Sequence, residues 1–231
     1  NLDRLMPGYI STEVQERWDV AWAYPDESLI PPSPMYEDNV PNIAGPWPWR
    51  LLESMNNRWE TLVQYKKLSW NSMQVLDHAE VIAVQPAFGY NGYYLGGYWE
   101  MSGHTPRPTL RYSRVLLEHG EVDNVVASVG SQMTTPTELV VFCSSFYAQA
   151  GEHRHLLDDI DGYFFAVPRI LADTLQWEAR DSGVEAFVTT NPPLGRYNGL
   201  PAVYFADGHV DDIPFNDLED QKRWIPRARD L

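Results

Sequence analysis

The stretch that most constrains this chain lies near its end: Arg196-Tyr197-Asn198-Gly199-Leu200-Pro201-Ala202-Val203-Tyr204-Phe205-Ala206-Asp207-Gly208-His209-Val210. Asn198-Gly199 is a turn signal, and Ala202 to Ala206 is a short apolar, aromatic run of strand type. Asp207-Gly208 favours the positive φ of a two-residue hairpin turn, after which Val210 and Ile213 resume a strand. A lone hairpin is marginal in water, so this one needs a sheet and a core beneath it. The chain can supply both, with 231 residues, 44% of them hydrophobic and 21% charged. One α+β domain is the economical expectation, with a helical and loop part over 1–75 and a mainly β part over 76–231.

Residues 11–24 read as an amphipathic helix. Ser11 and Thr12 offer N-cap oxygens, Gln15 stands where a capping box places it, and Val14, Trp18, Ala21 and Trp22 recur at helical spacing. Pro25 is the expected stop, and the Pro-, Asn- and acid-rich residues 25–48 read as surface loop. A second helix is predicted at Trp47-Pro48-Trp49, with Leu52, Met55, Trp59 and Leu62 on one face. Residues 79–85 are a strand candidate. Asn91-Gly92, set among aromatic residues, predicts a hairpin. Residues 98–119, with His104 among Gly and Pro, read as loop, and 121–129 and 138–146 as strands. Tyr163 to Val167 and residues 184–190 are further strand candidates, 168–181 a short helix, and 214–231 a tail ending in Lys222, Arg223, Arg227 and Arg229.

The C-terminal string resembles the signature of a family of prepilin-like proteins of planctomycete and verrucomicrobial type, a His, nine residues, then Asp-Gly. Here Tyr197 holds the His position, nine residues follow, and Asp207-Gly208-His209-Val210 match. Trp47-Pro48-Trp49-Arg50-Leu51-Leu52 and Pro86-Ala87-Phe88-Gly89-Tyr90-Asn91 are similar to segments of the same family, as is Thr135-Pro136-Thr137-Glu138-Leu139-Val140-Val141-Phe142. The resemblance implies a pilin-like fold, with N-terminal helices packed on an antiparallel sheet that ends in the hairpin. Arg196, Tyr197, Asn198, Gly199, Asp207, Gly208 and His209 would be its structural motif. It also implies a hydrophobic N-terminal anchor helix; the chain opens at Asn1 without one, and so reads as an ectodomain from which the anchor has been removed.

Chemistry is sparse. A net charge of −15 argues against a nucleic-acid partner, whose phosphates would repel the chain. No apolar run reaches the roughly 18 residues that a membrane span needs. The lone Cys143, in an apolar run, reads as a buried thiol. Asp207, Asp211 and Asp212 form a candidate Ca²⁺ loop, since a hard cation takes six to eight oxygens and related pseudopilins hold calcium in a C-terminal loop. A solvated acidic turn is the plainer account, because the ligand spacing of an EF-hand is absent. His153 and His155, with Asp158, would share a strand face and suggest a second metal site, although an exposed polar loop explains them better. No Gly-x-Ser-x-Gly elbow occurs around Ser131, Ser144 or Ser145.

Aromatic residues are abundant, with nine Trp and thirteen Tyr. Trp47, Trp49, Tyr93, Tyr94 and Trp99 are candidate sugar-stacking positions, set against a core-packing account. The expectation is therefore a non-catalytic structural subunit of an extracellular filament or secretion apparatus, at the cell surface, in the periplasm or outside the cell. Its partners would be other pilin-like subunits and its only membrane contact the missing helix. A secreted carbohydrate-binding module is the alternative, and a hydrolase on the same fold a more distant one.

Overall fold

The computed structural model describes residues 3–19, 21–24, 27–30, 43–65, 79–102, 105–111, 114–117, 120–123, 126–145, 160–166 and 199–226. The strands along them are β1 (Tyr9–Ile10), β2 (Trp22–Ala23), β3 (Leu29–Ile30), β4 (Gln64–Tyr65), β5 (Phe88–Tyr90), β6 (Tyr98–Ser102) and β7 (Thr105–Arg111). There follow β8 (Arg114–Leu117), β9 (Gly120–Asp123), β10 (Val140–Ser144), β11 (Ile160–Asp161), β12 (Ala202–Phe205) and β13 (Val210–Asp212). The helices are α1 (Thr12–Trp18), α2 (Pro48–Leu52), α3 (Ala79–Val84) and α4 (Phe215–Leu218). The chain is α+β with antiparallel sheets, apart from β1, which runs parallel to β6.

A four-stranded sheet in the order β13-β12-β10-β5 organises the core. β10 is apolar enough to be covered on both faces. Phe142 points to one side, its ring 5.0 Å from those of both Trp47 and Tyr90. Val140 and Cys143 belong to the other side, with Val203, Phe205, Ile213, Leu218, Trp224 and Ile225. A bulge between Val140 and Phe142 shifts the register against β12. The first cluster is closed by α2, α3 and the Phe164-Phe165 pair, and the Trp47 indole donates to the Phe164 carbonyl at 2.6 Å.

Several local expectations give way to longer-range forces. α1 ends at Asp19, which takes a left-handed φ of 53°, so Trp22 falls in the β2–β3 hairpin and not on the helix. Ser11 makes no side-chain cap, and Gln15 instead turns back, buried, to the Ile10 carbonyl at 2.8 Å. Pro48 opens α2 as predicted. Residues 79–84 are helical, not extended. Ala79, Val81, Ile82, Ala83 and Val84 are all buried, and a segment covered on every side carries no periodicity to separate helix from strand. Asn91-Gly92 forms a turn but no hairpin: Leu95 N–H returns to the Asn91 carbonyl, and β5 pairs with β10. The expected loop over 98–119 contains β6, β7 and β8. Among the described residues of 121–129, the end of β9 is the regular strand, and Ala127 and Val129 make single bridges. Phe165 makes an isolated parallel bridge to Tyr90 where a strand over 163–167 was expected.

The polar residues His153, Arg154, His155, Asp158 and Asp159, the helix over 168–181 and the strand over 184–190 lie outside the described residues, as do His104, Arg196, Tyr197 and Asn198. Among the described residues no helix is long and apolar enough to cross a membrane.

Candidate functional site

The hairpin β12–β13 forms where the sequence places it, with Ala202, Val203 and Tyr204 opposite Asp212, Asp211 and Val210. Its turn is one residue longer than expected. Phe205 N–H bonds the His209 carbonyl and Gly208 N–H bonds the Phe205 carbonyl, both at 3.0 Å. That leaves Ala206, Asp207 and Gly208 as a three-residue loop. Only Gly208 takes a positive φ, 98°, the position for which such loops favour glycine. The turn is fastened from outside, where Ala206 N–H donates to the Leu139 carbonyl and Asp207 N–H to the Pro136 carbonyl.

Asp207 and His209 make the tip a small clasp. Asp207 Oδ1 accepts the His209 N–H at 3.1 Å and lies 2.5 Å from His209 Nδ1. The main-chain donor, helped by the ring, holds the Asp207 carboxyl below the usual carboxylate range. The His209 ring stacks on Phe205 at 4.2 Å and 10°.

The three carboxylates suggested for Ca²⁺ are not brought together. Asp207 is engaged with His209. Asp211 and Asp212 are successive strand residues, so their side chains leave opposite faces. Asp211 Oδ1 accepts the Asp212 N–H at 2.9 Å, capping an outward donor of the edge strand. Among the described residues no group of three His, Cys, Asp or Glu side chains stands ready to hold a metal.

The aromatic candidates divide. Trp47 and Trp49, each 3% exposed, and Tyr94, at 0%, are core residues and offer no stacking surface, which corrects their assignment as ligand-binding positions. Tyr93 and Trp99 are partly exposed. Trp99 meets an unforeseen partner, Trp18, in an edge-to-face contact at 5.2 Å, with Trp18 39% exposed. The only sequence trace of this pair is that Trp18 closes a helix whose other outward residues are polar. Cys143 is buried, as expected. Ser145 has a structural role: its Oγ donates to the Tyr163 carbonyl at 2.6 Å and accepts the Tyr163 N–H.

The polar residues that hold this region were missed in the sequence. Asn91, fully buried, donates through Nδ2 to the carbonyls of Val140 at 2.9 Å and Trp224 at 2.8 Å. Arg50 donates to three carbonyls, those of Gly45, Pro7 and Gly8. Burial pulls the Arg50 guanidinium down to about 9, with Tyr90 and Tyr9 acting against that fall, so it stays cationic at neutral pH. Comparison with protein-family models, curated proteins and solved structures gave no match.

Proposed function

We propose that this chain is a structural subunit of prepilin-like or pseudopilin-like type, exposed at the cell surface or in the periplasm, whose work is packing and display. The C-terminal hairpin is the observation that carries the reading. Its apolar face, Val203 and Phe205, lies against Ile213, Leu218, Trp224 and Ile225, so the hairpin and the segment after it form one docked unit. The polar groups nearby, Asn91, Ser145 and Asp207, are committed to holding main chain in place. A net charge of −15 suits display in water and disfavours nucleic acid.

Immunogold labelling of the producing cells with an antibody against the chain tests this. Label on surface filaments or the envelope is expected, and label confined to the cytoplasm would sink the reading. The Trp18–Trp99 pair favours glycan binding as a second reading, because partly exposed indoles can stack on sugar rings. Binding on a glycan array that disappears in Trp18→Ala and Trp99→Ala would favour it.

A further inference from the structure

Among the described residues, three buried side-chain N–H groups have no acceptor: Trp22 Nε1, Trp49 Nε1 and Arg50 Nε. The other buried side-chain atoms without a partner are oxygens, and they are scattered over Ser11, Asn91, Tyr94 and Thr135. The N–H groups are not scattered. Trp49 and Arg50 are neighbours on α2, and β2, which carries Trp22, packs against that helix. The central carbon of the Arg50 guanidinium lies 5.8 Å from the centre of the Trp22 ring, and Tyr24, just after β2, meets the Trp49 ring edge to face at 5.2 Å. Buried donors normally find acceptors, so three orphans at one contact point to an acceptor from outside the chain.

The charge at this contact is uncompensated as well. Three N–H hydrogens of the guanidinium serve the carbonyls of Gly45, Pro7 and Gly8, which leaves the one on Nε and a second on Nη1. No carboxylate among the described residues pairs with Arg50, although the sequence has 32 Asp and Glu. A buried cation ordinarily has a counter-charge. One carboxylate supplies it, and its two oxygens accept about four hydrogen bonds, as many as Nε, Nη1 and the two indoles can donate. A phosphate dianion would leave a net negative charge in the same enclosure.

We propose that the contact between α2 and the β2–β3 hairpin is a binding site for one carboxylate group, held by Arg50 and by the indole N–H groups of Trp22 and Trp49. Access comes from the hairpin side. Trp22 and Arg50 are both partly exposed, and among the described residues β2 and β3 pair only with each other. Side chains hold the hairpin down: Trp22 on Arg50, Tyr24 on Trp49, and the buried Ile30. Lifting it uncovers the Arg50 and Trp49 donors without breaking a strand pairing to the rest of the molecule. Closing it again surrounds the carboxylate with aromatic rings, where little water competes for the guanidinium. The inference goes beyond the subunit reading and does not rest on it.

The test is a titration of the full-length chain with sodium acetate against sodium chloride at constant ionic strength, followed by tryptophan emission and by melting temperature. Acetate should shift both, and the shift should saturate. N-acetylglycine should bind too, and its amide should not. Tighter binding of N-acetylglycine than of acetate assigns the carboxylate to the end of a peptide chain, and equal binding assigns it to a small free acid. Trp22→Phe keeps a ring under the guanidinium and removes one donor, so the acetate concentration at half-saturation should rise about tenfold. Arg50→Met should abolish the response, but it also loosens the fold, and Trp22→Phe carries the test where Arg50→Met does not fold. The proposal falls if acetate and chloride act alike, if the amide binds as well as the acid, or if Trp22→Phe half-saturates where the unaltered chain does. None of these failures touches the surface-labelling result, which judges the subunit reading alone.

Discussion

Asn91 and Trp224, 133 positions apart in sequence, are joined by a 2.8 Å hydrogen bond from the Asn91 side chain to the Trp224 carbonyl. The same amide nitrogen serves Val140, in the strand at the centre of the sheet. One buried side chain thus couples that strand to the C-terminal segment, whose own Trp224 indole donates to the Leu218 carbonyl at 2.8 Å. Asn91→Ala leaves two carbonyls without a donor and should cost about 2–4 kcal/mol, read as a lower denaturant midpoint. Asn91→Asp is expected to be worse at neutral pH, since it sets a buried charge against two carbonyl oxygens. Equal stability of the two variants would show that the carbonyls find other donors.

Tyr94 has the opposite defect. Its ring is fully buried, and its hydroxyl has no hydrogen-bond partner. Tyr94→Phe removes an unsatisfied polar group without changing shape, so stability should be unchanged or should rise by up to about 1 kcal/mol. A loss above that range in thermal unfolding would mean that the hydroxyl has an unrecognised function.

Burial pushes both Tyr90 and Tyr94 well above the ordinary tyrosine value of 10.0. The sign follows directly. Above pH 10 the unfolded chain releases these protons and the folded chain keeps them, so the unfolded state gains. Each tyrosine should remove about 1.4 kcal/mol of stability per pH unit beyond that point. Ultraviolet titration should show Tyr90 and Tyr94 among the phenols that ionise only on unfolding, and one such phenol fewer in Tyr94→Phe. Smooth ionisation of every tyrosine in the folded chain would contradict this.

The Asp207–His209 clasp responds at the other end of the scale. A carboxyl held below its usual range contributes its stabilisation above the unfolded value of 3.8, and that contribution is lost as the pH falls through the folded value. An NMR titration should place the Asp207 midpoint below 3.8. His209→Ala keeps the main-chain donor, the larger cause, so the midpoint should climb only part of the way back. The group is exposed, and the global melting temperature should hardly respond. A midpoint at the ordinary value in the unaltered chain would mean that the clasp does not persist in solution.

Where a residue's role is decided by its neighbours in sequence, the sequence disclosed it. The hairpin was legible because Asp207-Gly208 and the apolar run before it are a local signal, and Pro48 marked the start of α2 for the same reason. Its turn was misjudged by one residue, since that depends on the anchoring of Ala206 and Asp207 to residues 136–139. β7 was hidden by Pro106 and Pro108, which suggest loop; as the outer strand of the order β1-β6-β7 it can do without their missing N–H groups. The arm over residues 3–11 left almost no trace, because its main chain is bonded to residues some 35 to 125 positions away and its Tyr9 and Ile10 side chains are buried in a core that only the fold assembles.

Arg50 is the sharpest test of how that arm is held. Its planar guanidinium reaches the carbonyls of Gly45, Pro7 and Gly8 together, and the Trp22 ring lies 5.8 Å from its central carbon. A lysine ammonium has three donors but no fork, and cannot span three carbonyls on two segments. Arg50→Lys should therefore cost about 1–3 kcal/mol, with Arg50→Met at the upper end or beyond because it provides no donor at all. The effect should also be local. In hydrogen exchange the amides of Gly8 and Ile10, bonded to Gly97 and Gly45, should lose protection in both variants before those of Val203 and Phe205 do. If all four amides lose protection together, Arg50 supports the domain as a whole and not the arm in particular.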